Sequence, residues 1–353
     1  MEYCRLGNSG LEVSRLGIGT IPFGTAIDEE ECRRILDLFQ GLGGNLIDTS
    51  NFYGGGSRGT NAQMAGTSER TIGKLVKGRR EQFVIATKGY WMMEDEVRPN
   101  GVGLSRTYLT KNINDSLKRL DTDYIDLYQC QNWDLYTPVE ETLRVLDDLV
   151  RAGKIRYYGV SNWDGWHVVK GNAYAGSMEY GPIVSNQIWY NLADRTAEHA
   201  IIPACRDQAV SIIAFSALAQ GFFSGLYKEG GERSPRAETM SPKLETAFFH
   251  WKNLATDRNW KTLDVLRRMA QERGTSVPAV ALRWLLDTGA CDVVLMGMDG
   301  LEQFEENMRV LDFQLSEEEK IKLNDVSKPV SPYPNNFYDL FCRRESEFYG
   351  GLR

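Results

Sequence analysis

The sequence lacks the residue clusters that a metal centre or a disulfide framework would need. Only three histidines occur among the 353 residues, and the six cysteines are scattered without a Cys-x-x-Cys pair. Structural zinc sites need closely spaced ligands, and disulfide frameworks need paired thiols. We therefore expect no metal site and a reduced, cytoplasmic protein.

Basic clusters and long apolar runs are also missing. The formal net charge is −7, without a run of lysine or arginine, which argues against nucleic acid or an anionic membrane as a partner. No apolar run is long enough to span a bilayer, and the first residues have no signal-peptide core. We expect a small-molecule ligand, and the sequence leaves open whether the protein forms a homo-oligomer.

A complete dinucleotide-binding glycine motif is absent as well. Gly17-Ile18-Gly19-Thr20 is only a fragment of the Gly-x-Gly-x-x-Gly pattern, because no third glycine follows in place. A doubly wound sheet would need that phosphate loop early in the chain. This alternative fold is therefore less favoured.

The sequence does contain an alternation of apolar strands and amphipathic helices. Hydrophobic residues make up 42% of the chain, which is ample for a large core. The pattern predicts eight strands, at 13–19, 46–48, 83–87, 124–129, 155–160, 183–187, 211–215 and 293–296. Helices are predicted at 28–42, 68–76, 105–120 and 259–273, and around Trp166 and Ala200. A further helix should begin at Thr137 with Glu140 in a capping box.

Eight strand–helix units in one chain of this length predict a single (β/α)8 barrel of the TIM type. We assign the barrel domain to residues 1–327, with a small hairpin over 6–17 before the first strand. Residues 328–353 are rich in proline and aromatic side chains. They are predicted to form a tail that packs near the barrel mouth.

Three titratable residues stand at or just after the ends of neighbouring predicted strands. Asp48 ends the second strand, Tyr53 lies in the loop that follows, and Lys88 ends the third. A tyrosine hydroxyl normally titrates near ~10. A nearby ammonium favours the ionised phenol, and a carboxylate keeps that lysine charged. The set predicts a phenol that exchanges a proton near neutral pH.

In this order and setting, Asp48, Tyr53 and Lys88 resemble the aldo-keto reductase family. The resemblance implies an NAD(P)-dependent oxidoreductase that transfers a hydride between nicotinamide and a carbonyl or hydroxyl group. It implies that Tyr53 is the acid or base, that Lys88 lowers its pKa, and that Asp48 holds Lys88.

The resemblance continues through later segments and implies a cofactor site. Gly159-Val160-Ser161-Asn162 and Ser185-Asn186-Gln187 are similar to the segments that bind the nicotinamide carboxamide. Phe215 stands where the family usually stacks a tyrosine on the ring, and stacking needs only the aromatic face. The implied cofactor-binding residues are Gly19, Thr20, Asp48, Ser161, Asn162, Gln187, Phe215, Ser216, Leu218, Gln220, Gly297, Met298, Asp299, Gln303, Glu306 and Asn307.

The fourth strand departs from the family pattern. Gln131 stands where the family ordinarily has a histidine, and the histidines at 167, 199 and 250 fall in helical or loop segments. A glutamine amide can hydrogen-bond a substrate oxygen but cannot titrate. We therefore assign Gln131 to the catalytic set as the residue that orients the oxygen.

A second departure lies at the adenosine end of the implied cofactor site. NADP-dependent family members place arginine or lysine around the 2′-phosphate, whereas this chain has Asp299 and Gln303. An acidic side chain repels a phosphate and accepts a ribose hydroxyl hydrogen bond. We therefore predict NAD over NADP, with a basic residue from 234–252 as the open alternative.

The substrate pocket should be built by the loops that follow the strands. Residues 90–93, Trp133 and the tail are candidate walls, and the glycine-rich loop at 54–66 is a candidate lid. Aromatic and amide side chains suit a sugar or polyol, which indicates carbohydrate metabolism.

Two alternatives stay open beside this enzyme. One is a cofactor-binding sensor or regulatory subunit with little turnover. The other is an enzyme that retains NAD and drives epimerisation or elimination through transient oxidation. The presence of Asp48, Tyr53 and Lys88 together favours an enzyme.

Overall fold

The computed structural model describes residues 1–54, 64–93, 98–227 and 251–342. The candidate lid at 54–66 and the loop at 234–252 lie almost entirely outside these described residues, and so does the last part of the tail. Within the described ranges, no helix combines the length and the apolar composition needed to cross a bilayer.

Eight parallel strands close into a barrel in chain order, which confirms the predicted (β/α)8 fold. Three predicted strands have the observed bounds, and the others differ by one or two residues at an end, apart from the first. The barrel strands are β3 Leu16–Gly19, β4 Leu46–Asp48, β5 Val84–Gly89, β6 Ile125–Cys130, β7 Ile155–Ser161, β8 Ser185–Trp189, β9 Ser211–Phe215 and β10 Val293–Met296.

The predicted first strand at 13–19 is wrong, because two separate strands occupy it. A hairpin of β1 Tyr3–Arg5 and β2 Glu12–Ser14 precedes the barrel, and β3 begins only at Leu16. Ser14 is the last residue of β2, and its N–H donates to the Asn45 side chain at 2.7 Å. Leu6 and Val13 of this region pack against the interior of the barrel strands, so the hairpin closes one end of the barrel.

Helices surround the barrel and bury their apolar faces against it. The predicted capping box at Thr137 is wrong: Pro138 precedes the first helical residue and no side chain caps the end. The helices are α1 Glu29–Gly41, α2 Thr67–Leu75, α3 Arg106–Leu120, α4 Val139–Arg151, α5 Gly165–Ser177, α6 Ile201–Asp207, α7 Trp251–Leu254, α8 Asp257–Arg273, α9 Val277–Asp287, α10 Leu301–Met308, α11 Glu317–Val326 and α12 Asn335–Phe337.

Candidate active site

The parallel register brings polar residues together at the carboxyl ends of the barrel strands. Asp48 lies opposite Gly19 on one side, and Lys88 lies opposite Gln129. On the far side of the mouth, Ser161 pairs with Gln187. Because all eight strands run in the same direction, these side chains share one end of the barrel.

The Asp48 carboxylate is buried at the centre of this end. One oxygen is ion-paired with the Lys88 ammonium, which is also buried. The other oxygen accepts hydrogen bonds from the side-chain amides of Gln187 at 2.8 Å and Gln129 at 3.0 Å. Both carboxylate oxygens therefore have hydrogen-bond partners, which stabilises the buried ion pair.

Gln129 was not predicted, although the sequence carried a signal for it. Gln129 lies on β6, and Gln131 follows two residues later, directly after the strand. Residues at that spacing along an extended chain point to the same face. Its side chain is completely buried inside the barrel, where it holds Asp48.

Lys88 is held in its charged form. Burial is the largest influence and lowers the pKa of Lys88, but the Asp48 carboxylate and Tyr53 together raise it more, so the net pKa is above the usual lysine value. The ammonium lies 4.9 Å from the centre of the Tyr53 ring. A cation is thus fixed beside the phenol at neutral pH.

Tyr53 keeps its proton at neutral pH. The expectation that Lys88 gives the Tyr53 hydroxyl a net lowered pKa is wrong for the protein alone. Burial is the largest influence and raises the pKa of the Tyr53 hydroxyl. Lys88 acts in the expected direction through its charge and a hydrogen bond, while Asp48 raises the pKa further. Tyr53 is therefore placed as a proton donor.

The loop that carries Tyr53 is fastened to its neighbours by the main chain. The Asn51 N–H donates to the Lys88 carbonyl at 2.9 Å, and the Ser68 N–H of α2 donates to the Tyr53 carbonyl at 3.3 Å. Gly54 has φ of 92°, and a Cβ there would lie 2.6 Å from the Thr67 side chain. The backbone on both sides of Tyr53 is thus held in place.

Gln131 lies beside this loop. Its side-chain oxygen accepts a hydrogen bond from the Ser50 hydroxyl at 2.8 Å. The main-chain carbonyl of Gln131 accepts from the Asn162 side-chain amide at 3.0 Å. The main-chain N–H of Gln131 donates to the Gly89 carbonyl at 3.2 Å. Ser50 was missed from the sequence, because its partner lies 81 residues away.

Ser161, Asn162 and Gln187 lie together across the mouth from Tyr53. Asn162 has φ of 59°, a left-handed conformation that suits asparagine. Its N–H donates to the Gln187 carbonyl at 2.9 Å, and its side-chain amide donates to the Ser161 hydroxyl at 3.2 Å. The Gln187 side-chain nitrogen is engaged with the Asp48 carboxylate at 2.8 Å.

The segment after β9 turns sharply beneath the half-buried Phe215 ring. Ser216 has φ of 53°, and Ala219, Gln220 and Gly221 have φ of 49°, 58° and 85°. The Gln220 amide donates to the Ser216 hydroxyl at 2.7 Å, which fastens the turn. A run of left-handed residues outside glycine is costly, and such backbone occurs mainly at ligand sites. Leu218 lies half-buried in the same turn.

The segment after β10 leads into the N-terminus of α10. Gly297 is exposed, and a Cβ there would touch nothing within 4 Å. The Asp299 N–H donates to the Gln303 side chain at 3.0 Å, and the Asn307 amide donates to the Gly297 carbonyl at 3.2 Å. Asp299, Gln303 and Glu306 are exposed here, whereas the Met298 side chain is buried and leaves only its backbone for a ligand.

Gly19 ends β3 and Thr20 follows it directly. The Thr20 hydroxyl is fully buried and donates to the Asp48 carbonyl at 2.9 Å, with the Ser68 hydroxyl 2.8 Å away. Thr20 therefore supports the Asp48 backbone, while its role toward a cofactor stays a prediction.

Comparison with known proteins settles the family. The model of the Aldo/keto reductase family matches residues 15–328. The chain belongs to this family.

Three relatives cover nearly the whole chain. An oxidoreductase of Bacillus subtilis named YrpG is 35% identical over 92% of this chain and 96% of its own length. A probable voltage-gated potassium channel subunit beta of Oryza sativa is 31% identical over 88% of this chain and 92% of its own. The norsolorinic acid reductase of Aspergillus flavus is 30% identical over 94% of this chain and 82% of its own length.

As an aldo-keto reductase, the protein is an NAD(P)-dependent oxidoreductase that acts on carbonyl and alcohol groups. The residues at the mouth fit such a cofactor. Phe215 offers a half-buried ring for stacking, and a turn with left-handed residues at 219–221 follows it. Ser161, Asn162 and Gln187 supply the polar atoms that a carboxamide needs.

The candidate pocket walls of this aldo-keto reductase are aromatic. The Trp91 ring lies 6.4 Å from Phe52, next to Tyr53. Trp133 stacks on His167 with ring centres 3.9 Å apart and an interplanar angle of 6°. The Nδ1 atom of His167 is already hydrogen-bonded, because it accepts the Asp164 N–H at 3.0 Å.

The described part of the tail contacts the segment that follows β8. The Asn335 amide donates to the His199 carbonyl at 3.1 Å, which places this part of the tail on the loop side of the barrel. Tyr333, Phe337 and Phe341 contact one another and remain largely exposed. Packing of the tail near the barrel mouth stays a prediction.

Proposed function

We propose that the protein is an NAD-preferring reductase of hydroxylated, sugar-like carbonyl compounds. The observation that carries the proposal is the buried Asp48–Lys88 ion pair beside a protonated Tyr53. A protonated phenol next to a fixed cation is suited to giving a proton to a carbonyl oxygen and to holding the resulting negative charge.

Each residue has a distinct role in this reaction. Ser161, Asn162, Gln187 and Phe215 would hold the nicotinamide, which would supply the hydride for the carbonyl carbon. Tyr53 gives its proton to the carbonyl oxygen, so that the product is an alcohol and the phenolate is left beside Lys88. Lys88 stabilises the phenolate, and Asp48 with its two glutamine partners keeps Lys88 in position.

Gln131 would hold the substrate oxygen next to Tyr53. Its side-chain oxygen is engaged by Ser50, which leaves the NH₂ group as the part that can donate. A neutral amide carries no charge at any pH in the working range, so Gln131 orients the oxygen without contributing a proton.

The preference for NAD rests on the charge around α10. Asp299 and Glu302 are exposed at the helix start, and Glu306 is exposed in the second half of the helix. Acidic groups there disfavour a 2′-phosphate and can accept from a ribose hydroxyl. Arg309 lies at the opposite end, where its guanidinium donates to the Gly274 carbonyl at 2.6 Å.

A sugar-like substrate suits the mixture of groups along the pocket. Trp91 and Trp133 supply flat apolar faces, while Asn132 and Gln131 supply amides that can hydrogen-bond hydroxyl groups. We also place the protein in the cytoplasm, since each of its six cysteines is free.

The test is a substrate screen with the purified protein, each of NADH and NADPH, and a panel of aldoses and simple aldehydes without hydroxyl groups. Nicotinamide absorbance reports the turnover. We expect hydroxylated aldehydes with NADH to give the highest kcat/KM. A consistent preference for apolar aldehydes would overturn the sugar-like substrate, and the absence of turnover with any carbonyl would overturn the reductase.

A regulatory subunit is the second candidate. It is favoured by the neutral Gln131 at a position that ordinarily carries a histidine, and by the likeness to a probable potassium channel subunit beta. Tight NAD(H) binding in calorimetry together with negligible turnover across the screen would support it. Activity that requires tightly retained NAD, without net change in nicotinamide absorbance, would instead support epimerisation or elimination.

A further inference from the structure

Ser50 and Gln131 form a contact between the loop after β4 and the end of β6. The Ser50 side chain is completely buried, and its oxygen lies 2.8 Å from the Gln131 side-chain oxygen. Gln131 itself is half-buried at the barrel mouth. Ser50 also lies between Asp48 and Tyr53 in the chain, so the contact joins the two halves of the catalytic centre.

The Ser50 hydroxyl has one hydrogen, and three acceptors compete for it. The Gln131 oxygen at 2.8 Å is closer than the Asn51 side-chain oxygen at 3.2 Å or the Lys88 carbonyl at 3.3 Å. The Phe52 N–H approaches the same hydroxyl oxygen at 3.4 Å as a donor. The hydroxyl therefore donates to Gln131 and accepts from the backbone.

Because the Ser50 hydroxyl oxygen already accepts from the Phe52 N–H, this contact favours the amide orientation in which the Gln131 oxygen is on the Ser50 side. The two ends of an amide have nearly the same shape but opposite hydrogen-bonding character. With the oxygen bound to Ser50, the NH₂ group is left, and among the described residues it has no hydrogen-bond partner.

We propose that Ser50 is a positioning residue that holds the Gln131 amide with its NH₂ group toward the substrate oxygen. The proposal rests on the role given to Gln131 in the proposed function. Without Ser50 the amide is free to rotate by half a turn. The Gln131 amide would then present its own oxygen to the substrate oxygen, and the two acceptors would repel each other.

The first test reads the amide directly and needs no substrate. In protein labelled with ¹⁵N in glutamine side chains, the Gln131 NH₂ resonances are assigned by their loss in Gln131→Ala. In Ser50→Ala we expect both resonances to shift, because the amide loses its hydrogen bond to Ser50, while the two hydrogens stay distinct because the amide C–N bond rotates slowly. Unchanged Gln131 resonances in a folded Ser50→Ala protein would overturn the proposal.

The second test is a double-mutant cycle on reduction of the most active aldose from the screen. Ser50→Ala should lower kcat/KM about tenfold, in line with one lost neutral hydrogen bond and a misdirected acceptor, with little change in the affinity for NADH. In the Gln131→Ala background the same change should have no effect, because Ser50 acts through Gln131.

The outcomes separate this proposal from the proposed function. An equal loss from Ser50→Ala in both backgrounds would overturn the positioning role while leaving Gln131 in the catalytic set. Unchanged activity in Gln131→Ala would overturn the role of Gln131, and the positioning role with it. A thermal melt of Ser50→Ala, which shortens the side chain by one atom, verifies that the fold is retained.

Discussion

At the residue scale, Tyr53 is the group whose chemistry the rest of the site prepares. Its hydroxyl lies beside the Lys88 ammonium and keeps its proton. We expect Tyr53→Phe to lower kcat by about 10²–10⁴-fold, the usual contribution of a general acid. Calorimetry should show nearly unchanged NADH affinity, since the nicotinamide contacts lie on other strands. Tyr124→Phe, directly before the start of β6, is the matched control, and retained turnover in Tyr53→Phe would rule out the assigned chemistry.

Gln131 determines the shape of the pH profile. Because an amide does not titrate, the wild-type kcat/KM should have no limb near the histidine value of ~6.5. Gln131→His adds a titrating donor and should introduce such a limb, with faster reduction of simple aldehydes. A limb near that value in the wild type, or its absence in Gln131→His, would contradict this assignment.

At the element scale, the first turn of α2 holds the ends of three barrel strands. The Ser68 hydroxyl donates to the Thr20 carbonyl at 2.8 Å and lies 2.9 Å from the Thr49 hydroxyl. The next residue, Glu69, is fully buried and accepts from the Thr87 hydroxyl and from Arg119, each at 2.6 Å. Helix α2 thus sets the positions of the residues adjacent to Asp48 and Lys88.

Removing the Glu69 carboxylate should destabilise this arrangement strongly. Glu69→Ala leaves the largely buried Arg119 unpaired, and we expect a loss of about 3–5 kcal/mol in urea unfolding. Lys77→Ala is the control, because Lys77 and Asp121 form an exposed pair at 3.4 Å. That change should cost less than about 1 kcal/mol. Similar losses for both variants would show that the Glu69 pair is not important for stability.

The start of α10 should control the choice of cofactor. Asp299→Arg replaces an exposed acidic group with a base that can pair with a 2′-phosphate. We expect its ratio of NADPH to NADH affinity in calorimetry to rise by at least tenfold. Glu317→Arg, at the exposed start of α11, makes the same charge change elsewhere and should leave the ratio unchanged. A wild-type preference for NADPH would instead direct attention to the basic residues of 234–252.

At the scale of the whole molecule, we expect two active-site groups to make the free energy of unfolding depend on pH in the alkaline range. The pKa values of Tyr53 and Lys88 are both raised in the folded protein. A raised pKa contributes stability below the unfolded value, and this is lost as the pH rises through the folded value. We expect the free energy of unfolding to fall above about pH 10. The fall should be smaller in Tyr53→Phe, and equal slopes for the two proteins would contradict the prediction.

The sequence by itself determined the barrel and its polar strand ends. Strands such as Leu46–Asp48 and Ser211–Phe215 were predictable because buried parallel strands are short apolar runs. Asp48, Tyr53 and Lys88 were predictable because each lies at or after such a run. Helix α9 was missed for the opposite reason. Residues 278–286 are all buried, so the helix has no polar face and no amphipathic period to detect.

Only the tertiary structure decided how the site residues act on one another. Ser50 and Gln129 become important because chain closure brings Gln131 and Asp48 next to them. The net pKa of Tyr53 likewise follows from burial, which outweighs the neighbouring ammonium. Hydrogen bonds between distant residues and the loss of solvent around a group depend on the packed fold. A local sequence pattern records neither of them.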